Sequence, residues 1–317
     1  MPDLPPTADF DHGICAVDTH YLRPGLAASH LIVENGRVAI VDTGANSAVP
    51  RLLAALEHKE LDPDSVDYLF LTHVHLDHAG GAGLLMRSLP RAVALLHPRG
   101  APHMIDPARL IAGSRAVYGE QKYAELYGEI VPIAADRVRE VADGEHIDLG
   151  GRMLECMHTE GHARHHYCIA DPIASAVFSG DSFGISYRGL DTAAGPFILP
   201  TTTPVQFDPV AAHAAIERIL GTGAESVYLT HYSRVQNLVP LAQQLHRDLD
   251  FYVAAAEKVA AADDREDRLS AALTDYYRNR IAAHGTADPQ AALDMLRMDI
   301  KLNVQGLLVW LKRRGAF

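Results

Sequence analysis

The sequence predicts a layered α/β fold followed by a helical C-terminal segment, and three observations carry that expectation. Short apolar runs of strand length alternate with stretches of helical spacing, the order expected when strands and helices are interleaved. The dipeptide Asn35-Gly36 separates two such runs in "SHLIVENGRVAIVDTG" (29–44), a strong signal for a two-residue hairpin turn. From Leu241 onward the spacing becomes helical: Leu241, Leu245, Leu249 and Val253 recur every four residues, and Leu293, Leu296, Ile300, Val304 and Leu308 form a second stripe.

The elements follow in order. After the hairpin, "SAVPRLLAALEHKEL" (47–61) has helical spacing at Leu52, Leu53, Leu56 and Leu61, and "VDYLFLTH" (66–73) reads as a continuous buried strand. Further strands are expected at "RAVALLH" (91–97), "MLECMH" (153–158), "HYCIA" (166–170), "SAVFSGD" (175–181) and "SVYLTH" (226–231), with a helix over 209–221. Two segments break the rhythm as insertions and candidate pocket walls, with surface packing the alternative for each. Residues 98–136 carry Pro98, Pro102 and Pro107 and then a helical stretch bearing Tyr118, Tyr123 and Tyr127; residues 187–208 are too long and too rich in Pro and Thr for an ordinary connection. Asp288-Pro289 is expected to start the last helix, a capping residue followed by proline in the first turn. The expected division is a main domain over residues 1–240, which carries the chemistry set out below, and a helical extension over 241–317, which packs on that domain or forms a homodimer contact.

Composition narrows the partners. Net charge is −12, and because the two signs balance within residues 241–317 the whole deficit falls on residues 1–240. No run of Lys and Arg offers a basic face to phosphates, which argues against nucleic acid. No segment approaches the roughly 20 apolar residues of a membrane span, and "MPDLPPTADFDHG" has neither a basic start nor an apolar stretch. A cytoplasmic protein with a small-molecule substrate and no membrane partner is expected. Cys15, Cys156 and Cys168 lack CxxC spacing and are odd in number, so buried reduced thiols are expected rather than a disulfide framework.

Chemistry concentrates at the ends of apolar runs. "LTHVHLDHAGG" (71–81) sets His73, His75, Asp77 and His78 where a strand ends, with His73 and His75 two apart and so able to face the same side. Three more runs finish at His162, Asp181 and His231. In layered α/β folds functional groups gather at the edge where strands end, so these seven residues specify one shared site. Imidazole and carboxylate suit zinc, iron or manganese, and the absence of cysteine removes any argument for a soft metal.

Residues from about 14 to 237 resemble the metallo-β-lactamase superfamily, whose HxHxDH motif stands here as His73, His75, Asp77 and His78. The later family positions match His162 in "TEGHARHH", Asp181 in "SGDSFG" and His231 in "LTHY", and "IVDTG" around Asp42 matches as well. The resemblance implies a four-layer αβ/βα sandwich with a binuclear site at the edge of its two sheets. It implies that His73, His75 and His162 hold one metal, that Asp77, His78 and His231 hold the other, and that Asp181 bridges them. Within the superfamily the chain looks most similar to glyoxalase-II-like and lactonase-like hydrolases. It departs from the common "TPGHTPGH", with Glu160 in place of the proline, Arg164 and His165 in place of Pro-Gly, and His166 keeping the second histidine.

The implied chemistry is attack by a metal-activated hydroxide on the carbonyl of a thioester, lactone or related ester, with two divalent ions, zinc foremost and iron or manganese as alternatives. Asp77 is suited to relay a proton to the leaving group, and Asp42 to orient a ligand histidine rather than to bind metal itself. Arg164, His166 and Tyr187 are substrate-pocket candidates, Arg164 as a partner for an anionic group and Tyr187 as an oxyanion donor, with core packing its other reading. His12, His20, His30, His97 and His103 lack partner spacing and are expected to be structural or exposed. The competing readings on this fold are an iron-dependent persulfide dioxygenase and a di-iron oxygen-binding protein. A flavodiiron reductase is disfavoured, because it carries glutamate where His75 stands and appends a flavodoxin domain. A non-catalytic metal-binding protein would be favoured by loss of a ligand, and none is lost.

Overall fold

In the computed structural model the described residues are 6–202 and 205–316. The chain clusters into two compact units, the first running up to His158 and adding His165–Gly180 and Ala224–Arg234, the second comprising Thr159–Arg164, Asp181–Gly223 and the remainder from Val235.

The first unit is built on two sheets. β1 (Thr7–Phe10), β2 (Ile14–Asp18), β3 (Ala28–Glu34) and β4 (Arg37–Val41) pair antiparallel, and β4 continues in parallel through β5 (Val66–Leu71), β6 (Val93–Leu96) and β7 (Val138–Glu140). The β3–β4 connection is the expected hairpin: Asn35 (φ 47°) and Gly36 (φ 72°) both take the left-handed backbone of a type I′ turn. Helix α1 (Val49–His58) joins β4 to the parallel β5, as the strand-helix-strand order requires. The first inserted segment folds, after the short α2 (Leu76–Ala79) and α3 (Ala82–Leu85), into α4 (Ala101–Ile105), α5 (Ala108–Tyr118) and α6 (Glu120–Tyr127). The second sheet contains β8 (Glu145–Leu149), β9 (Arg152–His158), β10 (Tyr167–Asp171), β11 (Ala176–Gly180), β12 (Ser226–Leu229) and β13 (Ser233–Gln236) in the order β13-β12-β11-β10-β9-β8.

Period-two alternation divides the first sheet between two cores. Val38, Ile40, Leu69 and Leu71 pack with Leu52, Leu56, Leu85 and Met104 of the helices, whereas Ala39, Val41 and Phe70 pack with Leu154, Tyr167, Ile169 and Phe178 of the second sheet. The strands are therefore apolar on both faces, which is why they read as continuous runs. All three cysteines are buried free thiols.

The second unit is mainly helical: α7 (Pro209–Gly221), α8 (Leu238–Val259), α9 (Arg265–His284), α10 (Pro289–Met295) and α11 (Arg297–Arg313). Asp208 caps α7 by accepting from the Val210 and Ala211 N–H groups. Leu241, Leu245 and Leu249 are buried as the stripe predicts, and Val253 is half-buried. The last stripe departs from the single helix expected. Asp288 does cap a helix, accepting from Ala291 N–H at 3.0 Å, but that helix stops and a new one starts at Leu296, whose ψ of −1° breaks the spiral. The turn lets α10 and α11 each pack against α9, and Leu296 itself is fully buried.

The second inserted segment, apart from Thr203 and Pro204, which lie outside the described residues, packs inward. Phe197, Ile198 and Leu199 are buried, and Asn303 of α11 bonds to the Thr202 N–H through Oδ1 at 2.7 Å and donates to the Pro200 carbonyl at 3.1 Å. Gly306 meets this segment so closely that a Cβ there would sit 1.6 Å from the Thr202 carbonyl oxygen. Among the described residues no helix is long and apolar enough to cross a membrane.

His30 turns out to be structural. It is fully enclosed on β3, meeting the rings of Phe178 and Tyr228 edge-on at centroid distances of 5.6 and 5.4 Å. Burial lowers its pKa from 6.5 to about 4, against a smaller raising pull from Asp42. Below pH 6.5 the unfolded chain takes up a proton that the folded chain refuses, so the stability tied to neutral His30 is complete above pH 6.5 and lost as the pH falls through about 4. At about 1.4 kcal/mol per pKa unit the loss is about 3 kcal/mol. Urea unfolding of His30→Leu should therefore show an acid-induced drop in stability smaller than the parent's by about that amount; an unchanged drop would contradict the assignment.

Candidate metal centre

The first unit's site is organised by Asp42, which follows the last residue of β4 and takes a left-handed φ of 55°. Its carboxylate is fully buried. Oδ1 accepts from the Thr72 N–H at 2.9 Å, and Oδ2 accepts from the hydroxyls of Thr72 and Thr230, each at 2.8 Å. Oδ2 also lies 2.8 Å from His78 Nδ1. A carboxylate only accepts, so Nδ1 carries the proton and Nε2 is left as the basic nitrogen of His78.

His231 is set the same way. Its Nδ1 donates to the Leu26 carbonyl at 2.9 Å, and its Nε2 lies 3.4 Å from Asp77 Oδ2. His78 Nε2 lies 3.9 Å from that same oxygen. Asp77, His78 and His231 each offer a ligand atom, all within 4.8 Å of one another. Beside them His73 Nε2 and His75 Nδ1 face each other at 2.8 Å, and the His73 ring centroid lies 4.0 Å from that of His78 and 4.9 Å from that of His166. Nitrogen and carboxylate donors gathered in this way, with other ring nitrogens already committed to protein acceptors, fit a divalent metal ion.

Burial opposes ionisation of Asp77, but His78, His231 and His75 outweigh it and hold the carboxyl well below the usual carboxylate range. Behind it lies a group of phenols. Tyr21 and Tyr127 share a 2.6 Å hydrogen bond, the Tyr118 and Tyr127 ring centroids are 5.7 Å apart, and Leu76, the neighbour of Asp77, is buried in the same cluster. Burial first and the Asp77 charge second push the Tyr118 phenol up to about 12, and those of Tyr21 and Tyr127 higher still.

The second unit carries His162 and Asp181, with Nε2 and Oδ2 3.4 Å apart. Both line a small cavity with Ser182, Thr201, Ile216 and Leu245. Of the pocket candidates, His166 is fully buried beside His73, and Arg164 is exposed with its backbone N–H donating to Gln206 Oε1 at 2.8 Å. Tyr187 is buried and its hydroxyl donates to Asp299 Oδ1 at 2.9 Å.

Sequence reasoning passed over Thr72, Thr230 and the Leu26 carbonyl. The signal for the threonines was present as a repeat: Leu-Thr-His occurs at 71–73 and again at 229–231.

A sequence model of the metallo-beta-lactamase superfamily matches residues 22–231. The chain belongs to that superfamily. A metallo-beta-lactamase fold-containing protein of Sulfurisphaera tokodaii is 27% identical over 186 residues, covering 57% of this chain and 64% of that protein. A hydroxyacylglutathione hydrolase of Aeromonas hydrophila is 26% identical over 210 residues, covering 66% of this chain and 62% of the enzyme. The matched part is thus less than two-thirds of either relative's length. Among solved structures, an archaeal superfamily protein from Sulfolobus tokodaii superposes with a TM-score of 0.64 at 21% identity, covering 93% of this chain and 98% of its own. That likeness shows the fold, a mixed α/β metallo-β-lactamase fold with C-terminal helices.

Two substitutions test the frame around the superfamily motif. Asp42→Asn loses an acceptor shared by His78 and two threonines, and zinc competition against a chelator should show about 10- to 100-fold weaker binding. Gly180 (φ 49°) has room for no side chain, since a Cβ would fall 2.6 Å from His166 Nε2 and 2.7 Å from Thr72 Oγ1. Gly180→Ala should therefore cost about 1–3 kcal/mol in chemical denaturation.

Proposed function

We propose that this protein is a metal-dependent hydrolase acting on the carbonyl of a small thioester, lactone or related ester. The observation that carries the reading is the cluster of Asp77, His78 and His231, with ligand atoms within 4.8 Å of one another and both Nδ1 atoms engaged by Asp42 and Leu26. On the superfamily pattern His73, His75 and His162 would hold one ion and Asp77, His78 and His231 a second, with the Asp181 carboxylate as a further ligand. When bound, two divalent ions, zinc in this proposal, lower the pKa of a water to about 7 and polarise a carbonyl oxygen.

The chain's own groups supply orientation and proton handling. Asp77 is the carboxylate that would take a proton from the attacking water and return it to the leaving oxygen or sulfur. Asp42 and the Leu26 carbonyl fix the ring orientation of His78 and His231, so that neither must be ordered when substrate arrives. The similarity to a hydroxyacylglutathione hydrolase supports a thioester as the first substrate to try.

Elemental analysis of protein purified without added metal should give close to two zinc per chain, with most of it lost in His231→Ala. Asp77→Asn should lower kcat for a hydroxyacyl thioester by about 10²- to 10⁴-fold. Metal-free protein would overturn the proposal. One equivalent of iron without hydrolysis would replace it with persulfide or oxygen chemistry.

A further inference from the structure

A second group of metal-type side chains lies on the helices of the second unit, apart from the superfamily motif. On α7 His213 and Glu217 are four residues apart, and on α8 His246 and Asp250 are four apart, so each pair shares one helix face. The four side chains meet in a chain. His246 Nε2 lies 2.7 Å from Glu217 Oε1, His213 Nε2 lies 3.3 Å from Asp250 Oδ1, and the two Nδ1 atoms face each other at 2.6 Å. The rings are parallel to within 9° with centroids 4.8 Å apart, so the nitrogens approach edge to edge.

The proton count makes this arrangement informative. Glu217 at 2.7 Å from His246 Nε2 and Asp250 at 3.3 Å from His213 Nε2 favour the tautomers that carry the proton on Nε2, and in those tautomers both Nδ1 atoms hold lone pairs. Two lone pairs at 2.6 Å repel unless a cation lies between them. A carboxylate on the far nitrogen of each ring is also the arrangement that orients metal-binding histidines.

We propose that His213 and His246 chelate a divalent transition metal, zinc foremost, through their Nδ1 atoms, with Glu217 and Asp250 orienting the rings and water completing the shell. Bonds of about 2.0–2.1 Å place two ligand nitrogens about 3.3 Å apart, so the pair needs to open by less than an ångström. Both rings can do so, their side chains being 31% and 24% exposed. The ion would clamp α7 to α8, whose Ala212, Ile216, Leu245 and Leu249 line the cavity that holds His162 and Asp181.

The test is zinc uptake by the full chain in equilibrium dialysis against added zinc, which fills this two-histidine site beyond the two motif ions retained through purification, followed by metal analysis. His213→Gln/His246→Gln should bind one zinc fewer per chain than the parent, and so should each single variant, because one imidazole alone does not chelate. His73→Ala/His231→Ala, which removes a ligand from each of the two proposed motif ions, should keep this equivalent and still show a zinc-dependent rise in melting temperature, absent once His213→Gln is added. Equal zinc uptake by the parent and the double variant would overturn the proposal and leave the two nitrogens to a shared proton, whatever the metal content of the motif site.

Discussion

One buried carboxylate, that of Asp42, constrains the rest of the site. Burying such a group without partners costs several kcal/mol, and here the cost is met by a backbone N–H, two threonine hydroxyls and an imidazole N–H. Those donors come from the ends of β5 and β12 and from α2, so satisfying one side chain fixes the relative positions of elements in both sheets. It also fixes the tautomer of His78. The left-handed backbone at Asp42 belongs to this device, because it ends the β4 ladder where the carboxylate must collect its donors.

The core makes that constraint affordable. Alternating residues of the central strands face helices on one side and the second sheet on the other, so strand positions are set by packing on both faces. Polar groups are then left where the strands stop. His73, Asp181 and His231 each stand just beyond a strand, or two residues past one. The second unit solves a similar problem with Asn303, which bonds to the Thr202 N–H, the Pro200 carbonyl and the Tyr252 hydroxyl, and so holds an irregular segment that has no ladder of its own.

Much of this was legible before any coordinates. The hairpin at Asn35-Gly36 follows from local backbone preference, and β3 to β6 and β9 to β12 follow from their apolar runs, whereas the short or partly exposed β1, β7, β8 and β13 and the strand β2 were not expected. The HxHxDH motif carries its own spacing. The break at Leu296 was not legible, because the apolar stripe continues through it and only contact with α9 makes two helices better than one. Nor was the fate of His30, whose neighbours Phe178 and Tyr228 lie about 150 and 200 residues along the chain.

By itself the sequence determined which residue types stand at the strand ends, the α/β class and the superfamily, since periodicity and short-range motifs are properties of the chain's local order. Tertiary structure alone decided the roles within that set. It made Thr72 and Thr230 supports for Asp42 and gave His231 its orientation through the Leu26 carbonyl. It also committed the Tyr187 hydroxyl to Asp299 and brought His213 against His246. The physical reason is common to all of these. A hydrogen-bond partner is chosen by distance and direction in space, and partners 30 or more residues apart in the chain leave no periodic trace in it.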